Sequence, residues 1–264
     1  MIEDIIKMSL LAVLQGITEF LPVSSSGHLV LCKELLDFKW GAGATIEIML
    51  HAGTLLSVIL FYRRRLLSLG ADLIAHKKEA RFYGGYIVLG VLPILAVGFV
   101  FREQLDIFFQ YPWVASICLM ITGIVLLLVH FVSRGQKPLG QRSALLIGFA
   151  QVAALLPGIS RSGVTISTAR LLGIRAKEAA EFSFLMSIPL LLAVIAWESI
   201  DWVVHGNQTG CPTSILLWGF FLSAAVGYVA LRWLVSLLER GHFWRFGIYC
   251  IAVGLSSFIY LRLG

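Results

Sequence analysis

The chain has 264 residues, of which 58% are hydrophobic and only 14% charged, and its mean hydropathy of +0.88 excludes a water-soluble domain. The net charge of +6 would suit nucleic acid in a soluble protein, but here the cations sit in loops between apolar runs. The expected surroundings are therefore a lipid bilayer and the expected fold is an all-α polytopic membrane protein, a single integral domain over 1–264, with no nucleic-acid partner.

The first segment, 1–44, opens with "MIEDIIKMSLLAV", whose acidic residues and missing small-residue cleavage site set it apart from a removable signal peptide. It is interrupted at 22–28 by "PVSSSGH". Pro22 disfavours helix at the residue before it, and "SSSG" at 24–27 supplies N-cap residues for a new helix through about residue 36. Six transmembrane helices are predicted, near 45–62, 84–101, 113–132, 178–198, 214–234 and 243–262. Each has almost no charge and about the length that crosses ~30 Å of hydrocarbon.

The loop after the first span carries Arg63, Arg64, Arg65, Lys77, Lys78 and Arg81, whereas the next has only Arg102 against Glu103 and Asp106. The cationic loop is the cytoplasmic one. Alternation then puts Arg134, Lys137 and Arg142 inside, the loop with Glu198 and Asp201 outside, and both termini outside. Segment 143–177, broken by "PGISRSG" at 157–163, lies between two cytoplasmic loops and so enters and leaves on one face. By the same count 1–44 dips in from the opposite face. Two re-entrant helix hairpins buried within protein follow. Trp40, Trp113, Trp197, Trp202 and Trp244 read as interfacial anchors, and the four scattered cysteines as packing residues.

A shift of 136 places Gln15 on Gln151 and the "SSSG" of 24–27 on the "SRSG" of 160–163; a shift of 134 brings Glu47 onto Glu181. Each half, about 1–135 and 136–264, reads as one hairpin followed by three spans. An odd number of spans inverts the second copy, which predicts an inverted-topology repeat with a site near the midplane.

Two helix N-termini pointing inward would make an anion site. Arg161 lies in the second break, and its guanidinium fits phosphate oxygens in a bidentate way. Gln15 and Glu19, four apart, share a helical face, and His28 follows the serines. Such a grouping inside a membrane is a functional-site hypothesis by default. Glu47 and His51 are also four apart and face one side of a span, where they would bind a cation, relay protons or hydrogen-bond unwound backbone; the last reading is preferred for Glu181 too. No GxxxxGK[ST], HExxH or GxSxG occurs, which removes ATP-driven, zinc-protease and α/β-hydrolase readings.

"LQGITEFLPVSSSGH" and "LLPGISRSGVTIS" resemble the two signature motifs of the undecaprenyl-diphosphate phosphatase family of the bacitracin-resistance type, and the resemblance continues through "EAAEFSFLMSIP" at 178–189. It implies an enzyme of the bacterial cytoplasmic (inner) membrane that removes the terminal phosphate of undecaprenyl diphosphate and returns the monophosphate to cell-wall synthesis. It also implies Ser25 as nucleophile, Arg161 as phosphate ligand, Glu19 as the second acidic position and His28 as the closing histidine. Gln15 stands where many members have glutamate. A divalent cation, Mg²⁺ or Ca²⁺, is expected, with Glu19 and Gln15 as its candidate ligands. A homodimer is compatible with the resemblance.

On this basis Ser25 attacks the distal phosphorus, Glu19 or His28 takes its proton, and Ser24, Ser26, Gly27, Ser160, Ser162, Gly163 and Thr165 join Gln15 in holding the phosphate. His28 as direct nucleophile, or a metal-activated water, are the other allocations. The cavity is expected to open outward. The competing class is a lipid-phosphate flippase or phosphate transporter, which would share the inverted repeat and anion site but has no use for an activated nucleophile.

Overall fold

The computed structural model describes residues 2–35, 44–131, 135–205 and 211–263. Trp40 and Arg134 lie outside the described residues. Within them the chain is helical without named strands: α1 (Ile2–Phe20), α2 (Ser25–Leu35), α3 (Ala44–Phe61), α4 (Arg63–Ile74), α5 (Lys78–Val100), α6 (Arg102–Phe109), α7 (Pro112–His130), α8 (Gln141–Gln151), a 3₁₀ turn (Val152–Leu155), α9 (Arg161–Leu171), α10 (Ala176–His205), α11 (Thr213–Glu239) and α12 (Arg245–Leu263).

Five of these, α5, α7, α10, α11 and α12, are long and apolar enough to cross a membrane. They match five of the six expected spans. The remaining one, 45–62, falls on α3, which meets that standard only together with α4, across a bend of 73°. The bend follows from composition: α3 is apolar, while α4 begins with Arg63, Arg64 and Arg65 and must leave the hydrocarbon.

The exterior is inverted relative to a soluble protein. Phe99, Val229 and Phe221 are 70%, 66% and 61% exposed, whereas Gln15, Thr54, Ser57, Gln151 and Ser223 are fully buried. Lipid accepts the first group, and the second must find partners inside. Ser57 Oγ donates to Ala224 O at 2.7 Å and Ser223 Oγ to Leu50 O at 3.2 Å, which ties α3 to α11. Phe20 and Phe184 meet edge to face at 5.9 Å in the centre of the core.

At both motifs the helix stops ahead of the proline, whereas α5 and α10 continue through Pro93 and Pro189. Leu156, before Pro157, is extended at ψ 134°, as expected ahead of proline, and Gly158 turns through φ +97°. The short helices α2 and α9 have 11 residues each and start 136 positions apart. At about 1.5 Å per residue neither reaches more than about half of the hydrocarbon.

Arg65 is more than a topology signal. Its Nε donates to Glu181 Oε1 at 2.7 Å and its guanidinium lies 5.1 Å from the Tyr83 ring centroid. Glu181 thus pairs with a cation at a helix end, a correction to the backbone-bonding role expected of it. The four cysteines are free, as expected of packing residues. Trp113 and Trp197 are exposed, with the Arg102 guanidinium 5.2 Å from the Trp197 ring.

Helices α7 and α12 are in close contact where Gly123 and Gly247 face each other. A Cβ on Gly123 would lie 2.6 Å from Gly247 O, and one on Gly247 would lie 2.7 Å from Gly123 O. Gly123→Val should therefore lower stability by about 1–3 kcal/mol through overpacking. Gly85→Ala, where an added Cβ meets nothing within 4 Å, should leave the protein unchanged or raise its stability by up to about 1 kcal/mol. Thermal unfolding of both variants in detergent checks the pair.

Candidate active site

Glu19 ends α1, one turn before the break, with its side chain only 8% exposed. A carboxylate at this depth must be surrounded by donors. Ser25 Oγ donates to Glu19 Oε2 at 2.7 Å and Gln15 Nε2 to the same oxygen at 3.0 Å. Arg161 Nη2, from the other hairpin, donates to Glu19 Oε1 at 3.0 Å. The placement of Gln15 and Glu19 on one helical face is as expected.

The two breaks are capped alike. Ser24 Oγ accepts from Gly27 N at 3.2 Å, and Ser160 Oγ accepts from Gly163 N at 3.1 Å. In each, the cap hydroxyl lies 3.2 Å from the next serine but one, Ser26 or Ser162. The loop tips interlock: a Cβ on Gly27 would lie 2.7 Å from Gly158 Cα, and one on Gly163 would lie 3.4 Å from Pro22 Cβ. Only backbone-sized residues permit this approach, and it brings the first residues of α2 and α9, Ser25 and Arg161, against one carboxylate. Ser24 reaches the cap at φ +67°, a left-handed conformation that costs a non-glycine residue about 1–2 kcal/mol.

Not every expected phosphate ligand faces this cluster. Ser162 Oγ donates to Leu21 O at 3.3 Å, while Thr165 Oγ1 donates to Arg161 O at 2.8 Å and lies 2.6 Å from Ser183 Oγ. Their hydroxyls, like that of Ser160, are engaged within the scaffold, so these three residues hold the second break in shape instead of lining the Ser25 side. His28 is also directed elsewhere. Its Nδ1 lies 2.8 Å from Ser24 O and its Nε2 2.9 Å from Tyr249 Oη. The hydroxyl of Ser25 meets Glu19, not His28.

His51 joins the site, with Nε2 4.0 Å from Glu19 Oε2. Its Nδ1 is 2.9 Å from Glu47 O, a carbonyl that can only accept, which places a proton on Nδ1 and turns Nε2 toward Glu19. Glu47 thus contributes its backbone to orienting His51. Tyr249 and Thr122 escape the motif-based reading because they lie in apolar runs far from either motif. Thr122 Oγ1 donates to Gly158 O at 2.9 Å and accepts from Ser160 N at 3.1 Å. The one cue was a hydroxyl in the middle of a span.

Two buried polar atoms at the site have no hydrogen-bond partner among the described residues, Arg161 Nη1 and Gln15 Oε1. The first is a cationic donor and the second an acceptor, a complement to an anion with its counter-cation. No group of three or more His, Cys, Asp or Glu side chains suited to a metal ion occurs among the described residues. Gln15 turns its Nε2 toward Glu19, which leaves Gln15 Oε1 as the unpartnered oxygen of the pair and the one free for a hard cation.

Compared with known proteins, the chain matches the family model described as "Bacitracin resistance protein BacA" over residues 8–256. It is 38% identical over 261 residues to a protein of Christiangramia forsetii named undecaprenyl-diphosphatase, covering 97% of this chain and 98% of that one. It is 35% identical over 268 residues to undecaprenyl-diphosphatase 1 of Bacillus licheniformis, covering 97% and 98%. It is also 35% identical over 263 residues to an undecaprenyl-diphosphatase of Korarchaeum cryptofilum, covering 96% and 98%.

The amide of Gln15 donates where a carboxylate would repel. Gln15→Glu should therefore make stability depend on a divalent cation, with the melting temperature in EDTA falling by about 5 °C and recovering on addition of Mg²⁺. The wild-type melting temperature, followed in the same buffers, should move much less.

Proposed function

The chain belongs to the bacitracin resistance protein BacA family, and from that premise we infer that it is an integral membrane phosphatase hydrolysing undecaprenyl diphosphate to undecaprenyl phosphate and inorganic phosphate. The observation that carries this reading is the shared carboxylate: Glu19 accepts from Ser25 on one oxygen and from Arg161 on the other. That arrangement sets a nucleophile, a proton acceptor and a phosphate ligand side by side.

Ser25 Oγ attacks the distal phosphorus in line and passes its proton to Glu19 Oε2, while the bond from that phosphorus to the bridging oxygen breaks. The bridging oxygen leaves as part of undecaprenyl phosphate. Glu19 passes the Ser25 proton onward through His51 Nε2, which frees it to take a proton from the water that attacks the phosphoserine. The bond from phosphorus to Oγ then breaks, Glu19 returns that proton to Ser25 Oγ, and inorganic phosphate leaves. Arg161 Nη1 supplies the unpaired donor for a non-bridging oxygen as charge redistributes, joined by the helix N-termini. Glu19 and Gln15 would hold a Mg²⁺ or Ca²⁺, which would neutralise part of the diphosphate charge.

The two hairpins are read as re-entrant and the halves, 1–135 and 136–264, as an inverted repeat of six spans in all. Support comes from matched packing: α1 lies on α11 as α8 lies on α5, and α3 on α11 as α10 on α5. The same matched packing favours the transporter as the second reading, but a carrier has no use for Ser25 hydrogen-bonded to a carboxylate. The cationic loops support a cytoplasmic-membrane location with the Ser25 hairpin entering from outside, the cavity opening outward and both termini outside.

Purified protein in detergent with Mg²⁺ should release phosphate from undecaprenyl diphosphate. Ser25→Ala should lower kcat by about 10³-fold or more, and Glu19→Gln by about 10²–10⁴-fold, the scale of a lost proton acceptor. Arg161→Lys keeps the charge but not the fork and should cost about 10²-fold. Absence of phosphate release by folded wild type that still binds the lipid diphosphate would favour the transporter.

A further inference from the structure

The polar atoms of His28 point away from Glu19, and their partners define what the residue does. Ser24 O is a carbonyl and can only accept, so Nδ1 carries a proton. The ring is buried and has no carboxylate within salt-bridge distance among the described residues, so it is neutral and its Nε2 is an acceptor. Tyr249 therefore donates its hydroxyl proton to Nε2 at 2.9 Å, and the two rings stack nearly parallel, 4° apart in plane. The result is a directed chain from the Tyr249 O–H through the imidazole to the Ser24 carbonyl.

Ser24 is the residue at φ +67°, and the peptide that follows its carbonyl belongs to Ser25. The neighbouring residue on α12 acts on the same break, since Cys250 Sγ donates to Pro22 O at 3.5 Å. Two consecutive residues of α12 thus hold the carbonyls on either side of Val23. The second break is held differently, by Thr122 of α7 acting directly on Gly158 and Ser160.

We infer that Tyr249 is a positioning residue which, through a neutral His28, clamps the strained Ser24 carbonyl and so aims Ser25 Oγ at Glu19. This rests on the phosphatase reading for its kinetic consequence but not for its structural one. It gives His28 the part of a strut, with no nitrogen open to the Ser25 proton.

The test combines kinetics with the tautomer of His28, read by ¹⁵N NMR of histidine-labelled protein in lipid and assigned by the signal lost in His28→Asn. Wild type should show the Nδ1–H form alone with Nε2 hydrogen-bonded, and Tyr249→Phe should keep that form while its Nε2 resonance moves to that of an acceptor without a donor. Tyr249→Phe should lower kcat about tenfold, the scale of one hydrogen bond, with KM within about twofold and the shape of the pH–rate profile unchanged. Asparagine at 28 can still donate to Ser24 O, so His28→Asn should keep about tenfold more activity than His28→Ala. Adding Tyr249→Phe to His28→Ala should cost nothing further.

His28→Asn as inactive as His28→Ala, with loss of one limb of the pH–rate profile, would make His28 a base and overturn the proposal. So would full kcat in Tyr249→Phe. If wild type releases no phosphate, the phosphatase reading fails and the spectra alone decide: an Nε2 resonance that moves in Tyr249→Phe supports the chain of hydrogen bonds, and one that does not move refutes it.

Discussion

Everything at this site depends on one buried carboxylate placed where a helix ends. Removing an ion from water costs several kcal/mol even after relaxation, and Glu19 tolerates that cost because three donors converge on its two oxygens. Those donors come from α1, α2 and α9, so satisfying the charge and assembling the site are the same event. The glycine contacts between the loop tips make it geometrically feasible. Without the close approach of Gly27 to Gly158, Arg161 could not reach across to the α1 side.

The two breaks show how a repeated scaffold becomes chemically one-sided. Position for position, 136 apart, the caps match as Ser24 and Ser160, and the paired serines as Ser26 and Ser162. The first residue of each short helix is where they part, a hydroxyl in α2 and a guanidinium in α9. Glu19 corresponds to Leu155, so there is one acid for the two sites to share. Gln151, the counterpart of Gln15, is buried and donates to Gly90 O at 3.2 Å, a packing role that shows what the position does without a carboxylate nearby.

Much of this was legible before any coordinates, because membranes impose simple rules. Length and apolarity located the long helices, prolines located the breaks, and the i, i+4 pair of Gln15 and Glu19 was correctly placed on one face. Ser160, Ser162 and Thr165 are expected at phosphate because hydroxyls near a cationic break suggest an anion, and interior backbone competes for and engages the same hydroxyls, which no spacing in the sequence reveals. The same competition directs His28 to Ser24 and Tyr249. Contacts such as Tyr249 with His28, 221 residues apart in sequence, leave no periodic signature, and the pairing of Arg65 with Glu181 was hidden because the cationic run already had a sufficient explanation.

The distribution of these parts along the chain also has a consequence for its synthesis. Ser25 and Glu19 are translated early, Arg161 after more than half of the chain, and Tyr249 near the end. During that interval the Glu19 carboxylate exists without its cationic partner. Ser25 and Arg161 lie in different halves of the chain, so the cluster around Glu19 closes only after the second break has been made.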